Sequence, residues 1–206
     1  MELTVSQKDS LTELINIGYG RAAGVLSELT GYRITLEVPQ VTIHDIGVIG
    51  PMLSQILVAP VASVNQVFSG PVSGSALLLL DEPSALVMSR LLGDDRYISL
   101  ELDTNAKEII TEIGNILLNA CLGVFGNLLQ IQVTFSVPRL SVEAVEKVLE
   151  RVVNQPGEQV QYGLMIHTRF QVKAADVTGY LVIVLGIASL DRLLVELGKW
   201  ENRQTQ

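Results

Sequence analysis

Apolar residues recur at helical spacing near the start of the chain and again about one hundred residues later. In the first stretch Leu11, Leu14, Ile15, Gly18, Ala22, Val25, Leu26 and Leu29 fall on one side of a helix turning about 100° per residue. In the second, Ile110, Ile113, Leu117, Cys121, Val124, Phe125 and Leu128 do the same. Opposite each stripe lies a polar set, Asp9, Glu13 and Asn16 in the first copy and Glu108, Glu112 and Asn115 in the second. The i, i+4, i+7 spacing puts each set on one exposed ridge. At an offset of 99 residues Thr12, Glu13, Asn16, Ile17, Gly24, Val25, Leu29, Thr35, Val38 and Pro39 meet identical residues without a gap. A solvated helix face accounts for one such ridge; it accounts poorly for two at the same distance from a proline. An internal repeat of this kind sets the architecture.

The remaining pattern fits the repeat. Thr4 or Ser6 can cap the first helix, Ser6 with Asp9 resembling a capping box, and Gly31 is placed to stop it. Arg33–Val38 alternates as a strand and ends at Pro39. Val41–Ile49, Leu53–Val61 and Val64–Phe68 read as extended or short strands, punctuated by Gly47, Gly50 and Pro51. Ser75–Leu80 is a buried strand, and Pro83 opens a helix over Ser84–Leu92. A charged connector, Asp94–Leu102, divides the halves. Asp103 then caps the second long helix, Ile131–Val137 is its strand, and Val142–Val153 has helical spacing. A turn at residues 154–157 precedes a strand over Val160–Phe170. Val177–Leu185 matches Val72–Leu80 at an offset of 105, and Lys199–Gln206 reads as a polar tail. Short turns between strands favour antiparallel pairing. The fold class is therefore α+β: one internally duplicated, pseudo-twofold domain over residues 1–206, with repeats of about 1–98 and 99–206. Its sheet is mostly antiparallel, and two long helices lie side by side on one face.

Composition narrows the function. Nearly half of the 206 residues are hydrophobic and the formal net charge is −8, which argues against a nucleic-acid backbone or an anionic membrane surface as main partner. The single cysteine, Cys121, lies on the buried stripe, so no disulfide framework exists and a reducing, cytoplasmic setting is expected. No leader is visible at the start, and the most apolar run, Tyr180–Leu190, is about half a bilayer span. His44 and His167 are far apart and have no cysteine cluster, so no metal site is expected. Gly18 and Gly20 sit inside a helical pattern, where small residues favour close packing over phosphate cradling.

What stands out is a carboxylate and a carboxamide one turn apart, displayed twice. A carboxamide donates and accepts hydrogen bonds without changing charge, and can hold a water in line for attack on a phosphoryl group. At these residues the chain resembles the CheC/CheX/FliY family of phosphatases, which act on the phosphorylated chemotaxis response regulator CheY. The family signature is Asp or Ser, three residues, Glu, two residues, Asn, twenty-two residues, Pro. Asp9, Glu13, Asn16 and Pro39 fit it in full; Glu112, Asn115 and Pro138 fit it, with Glu108 in place of Asp or Ser. The resemblance implies that Asn16 and Asn115 orient the attacking water and that Glu13 and Glu112 pair with the regulator's active-site lysine. It implies accessory places for Asp9 and Glu108 and a structural role for the prolines. It also implies no cofactor in this chain, since Mg²⁺ comes with the regulator. A further implied partner is the receptor deamidase CheD, on a surface near Ser84–Gly93 with Met88, Leu91 and Leu92 as contacts. Two other readings are a CheD-binding adaptor and a non-catalytic switch module like FliM; the doubled Glu/Asn ridge favours the enzyme.

Overall fold

A computed structural model describes residues 3–57, 60–92, 101–154, 160–172 and 175–204. Thr4 starts the first helix: its hydroxyl accepts the Gln7 N–H at 3.2 Å, and the Gln7 carboxamide oxygen accepts the Thr4 N–H at 2.9 Å. The capping box is thus Thr4–Gln7, not Ser6–Asp9. Helix α1 (Val5–Thr30) stops at Gly31, whose φ of 69° is left-handed. Then follow β1 (Ile34–Leu36), β2 (Gln40–Asp45), α2 (Ile46–Ser54), β3 (Val61–Ser69), β4 (Gly74–Asp81) and α3 (Glu82–Leu92). Helix α4 (Thr104–Leu129), capped by Asp103, opens the second half. It is followed by β5 (Thr134–Phe135), β6 (Arg139–Glu143), α5 (Val145–Val153), β7 (Val160–Val172), β8 (Ala175–Gly186) and α6 (Ile187–Gln204). The order of helices and strands is the same in both halves. The connector at 94–102 and the turn at 154–157 fall largely outside the described residues.

Four expectations need correction. The segment read as strands around Gly47, Gly50 and Pro51 is helix α2, capped by Asp45 through the Gly47 N–H at 3.0 Å. Its breaker residues hid an apolar stripe of Ile49 and Leu53. The helix expected from Val142 begins at Val145, because β3 takes residues up to Glu143 as strand β6. The strand expected over Ile131–Val137 is only Thr134–Phe135. The polar tail is helical as far as Gln204, with Trp200 buried as its anchor.

All ladders are antiparallel, in the order β1-β7-β8-β4-β3-β5. Strands β2 and β6 share β7 and β3 with β1 and β5. The halves exchange strands: β1 and β2 of the first pair with β7 of the second, and β5 and β6 of the second pair with β3 of the first. The central strands β4 and β8 are continuous apolar runs because both faces are covered. Ala76, Leu78, Leu181 and Ile183 face the core under α1 and α4. Leu77, Leu79, Val182 and Val184 face α2 and α5, a layer the sequence pattern did not reveal.

The long helices lie side by side, as expected. A methyl group on Gly18 would come within 2.9 Å of the Cys121 Cα, so glycine permits the close approach. The first stripe is shorter than its pattern: Val25 and Leu29 are exposed, whereas Val124 of the second stripe is buried. Helix α4 has the length and hydropathy of a bilayer span, and half of that window is buried within the protein.

Candidate active site

Each ridge follows from the helix beneath it. On α1 the residues between the polar positions, Leu11, Leu14 and Ile15, are buried, so Asp9, Glu13 and Asn16 must face outward, and all three are exposed. On α4 Ile110, Ile113 and Gly114 are buried, Glu108 and Glu112 are exposed, and Asn115 is half-buried. Thr12 and Thr111 each turn back to a carbonyl one turn earlier, of Lys8 at 2.8 Å and Lys107 at 2.7 Å, which occupies their hydroxyls. Among the described residues none of the four ridge carboxylates has an ion-pair partner, so each is available to a cation on another molecule. The two helices pack against each other, Gly18 of α1 on Cys121 of α4, over the same core.

The supports below the ridges differ. A methyl group on Gly114 would lie 2.6 Å from a Val64 methyl, so α4 sits tightly on β3; α1 has Ile15 at this place. Next to Asn115 is a polar chain absent from the sequence reading. Asn119 Nδ2 donates to Asn115 Oδ1 at 2.6 Å, and Gln66 Nε2 donates to Asn119 Oδ1 and to the Ser136 carbonyl, both at 3.0 Å. The only hint of it in the sequence was a break in the repeat, since Gly20 stands where Asn119 would be matched. Gln66 is 1% exposed and its Oε1 is buried without a partner. Such an orphan acceptor costs about 1–3 kcal/mol.

Other candidates separate from the ridges. Cys121 is fully buried, and burial pushes its thiol far above the usual range, so it is a packing residue. Burial likewise raises the phenol of Tyr19, whose hydroxyl lies near Thr168 without a well-formed bond. His44 contacts Thr42, and His167 packs on Tyr180 with ring centres 5.0 Å apart. No group of three metal-ligating side chains converges among the described residues. Pro39 is buried between β1 and β2, in keeping with a structural role. On α3 Met88 is 1% exposed and packs into the core, so it cannot be a docking contact; Leu91 and Leu92 are half-buried.

No family model matches the chain. The CheY-P phosphatase CheC of Bacillus subtilis (strain 168) is 24% identical over 197 residues, covering 93% of this chain and 94% of that protein. FliY of Thermotoga maritima has the same fold, with a TM-score of 0.74 at 20% identity over 97% of this chain and all of that one. The FliM middle domain from H. pylori gives 0.65 at 16% identity over 94% and 99%. CheX of Desulfovibrio desulfuricans gives 0.52 at 12% over 83% and 99%.

Proposed function

We propose that this chain, a member of the CheC/CheX/FliY family, hydrolyses the aspartyl phosphate of a CheY-type response regulator in the cytoplasm. The observation that carries the reading is the pair of ridges: Glu13 with Asn16 and Glu112 with Asn115, one turn apart, on adjacent helices of one face. Glu13 or Glu112 would pair with a receiver lysine and set the approach. Asn16 or Asn115 would hold a water in line with the phosphoryl group. Attack forms the new phosphorus–oxygen bond as the bond to the aspartate carboxylate breaks, and the water's proton passes to phosphate or solvent. A Mg²⁺ ion brought by the receiver would supply charge stabilisation there, and the part of Glu13, Asn16, Glu112 and Asn115 would be orientation. Positioning of this kind is a large source of rate where the leaving group is already good.

The likeness to FliM supports a second reading, an interaction module that binds without catalysis. A CheD-type partner on α3, where Leu91 and Leu92 are half-buried against the core, would be a separate function of the same fold. Adding the protein to a phosphorylated CheY-type receiver and following phosphate release decides between enzyme and module. The enzyme accelerates release at catalytic amounts. Binding to the receiver with an unchanged decay rate favours the module and overturns the proposal.

A further inference from the structure

The amide chain beneath the second ridge has a direction. The Ser136 carbonyl, which can only accept, is pinned to β3: its own N–H donates to the Val67 carbonyl at 2.9 Å, and its Oγ accepts the Val67 N–H at 3.0 Å. Gln66 must therefore turn its NH₂ end to that carbonyl, since its oxygen would be repelled. The second hydrogen of that NH₂ reaches Asn119 Oδ1. Asn119 is then fixed with Nδ2 towards Asn115, whose Oδ1 accepts it at 2.6 Å. One backbone carbonyl thus decides which end of Asn115 is engaged and leaves its Nδ2 for a ligand. Asn115 Oδ1 keeps one lone pair for a water hydrogen.

The first site has no such chain. Gly20 replaces Asn119, and Thr168 replaces Gln66: Asn65 pairs with Arg139 and His167 with Gln40, and Gln66 and Thr168 are the next residues along their strands. Asn16 is exposed, and among the described residues no carboxamide chain stands behind it.

We propose that Gln66 and Asn119 are positioning residues for the second site, holding Asn115 with Oδ1 inward and Nδ2 presented to the phosphoryl group. The second site is in this way preorganised, and the first is left to order its carboxamide on binding. This rests on the phosphatase reading above. Asn119→Asp tests it, because aspartate keeps the shape and accepts from Gln66 but cannot donate to Asn115. In an Asn16→Ala background, which isolates the second site, Asn119→Asp and Asn119→Ala should each lower kcat about tenfold, with KM for the receiver within about twofold. In an Asn115→Ala background Asn119→Asp should have no further effect, because the two residues act as one unit. The side-chain amide resonances of Asn115 should shift in the Asn119→Asp protein. An unchanged kcat in the folded Asn16→Ala, Asn119→Asp protein, or unmoved Asn115 resonances, overturns the proposal. If the unaltered protein releases no phosphate, the phosphatase reading fails by itself, and the Asn115 resonances still decide whether Asn119 positions that side chain.

Discussion

The ridges on α1 and α4 carry the same glutamate and asparagine at the same spacing, yet they rest on different foundations. The α1 ridge has open space at Gly20 and leaves Val25 and Leu29 exposed further along the helix. The α4 ridge is pressed onto Val64 through Gly114 and braced by Asn119 and Gln66. Repetition has kept what the surface shows to a partner and let the layer beneath diverge. Identical surface residues therefore do not imply equal sites.

The largest break in the comparison comes from removing both carboxamides. The Asn16→Ala, Asn115→Ala protein should be nearly inactive towards a phosphorylated receiver while keeping its circular dichroism. Each single substitution should leave the other site's share. Asn16→Ala should cost under about 0.5 kcal/mol of stability; Asn115→Ala, which ends a hydrogen bond, should cost about 1 kcal/mol. An active, folded double mutant refutes the assignment of both residues.

Next in size is the glycine contrast, read by denaturant unfolding. Gly114→Ala forces a methyl into Val64 and should destabilise by about 1–3 kcal/mol. Gly20→Ala meets nothing within 4 Å and should stabilise by roughly 0.5–1 kcal/mol through helix propensity. Equal effects at the two positions would mean that α4 is no more tightly seated than α1. Smaller again are Glu13→Lys and Glu112→Lys, each expected to weaken receiver binding by up to about 1 kcal/mol, roughly fivefold in Kd. Unaltered affinity in titration calorimetry would remove the lysine-pairing role. The smallest is Glu108→Asp in an Asn16→Ala background, which should leave the second site as active or more so. Glu108 and Glu112 are like charges one turn apart, a cost of a few tenths of a kcal/mol, and the shorter side chain leaves more room for the receiver. A tenfold loss, about 1.4 kcal/mol in transition-state stabilisation, would make Glu108 a working part of the site.

The legible parts of this chain were those governed by local physics. The long helices, the stop at Gly31, the start at Asp103 and the buried strands β4 and β8 follow from apolar pattern and capping. Helix α2 was obscured because Gly47, Gly50 and Pro51 are turn residues by propensity, and burial of Ile49 and Leu53 overrode them. The end of β6 depends on β3, more than 70 residues earlier, and no window around Val142 contains that information. Met88 shows the same limit, since helical spacing does not say which side of α3 the sheet occupies. The exposure of Asp9, Glu13, Asn16, Glu108 and Glu112 was legible because it follows from the stripe opposite, whereas Asn115, expected on the same exposed ridge, is half-buried beside Asn119. The brace behind Asn115 was not, because Gln66 reaches it from another strand.

The exchange of strands between the halves has a consequence for synthesis. Val41 pairs with Ile166, about 125 residues later in the chain. At about 5–20 residues per second, a ribosome leaves β1 and β2 without their partner for roughly 6–25 s. For most of that interval β3, too, lacks β5 and β6, which follow it by more than 60 residues, so the nascent first half exposes two sets of unpaired backbone groups. The emerging chain is thus obliged to wait with its edges open, a window in which a holding chaperone would find them.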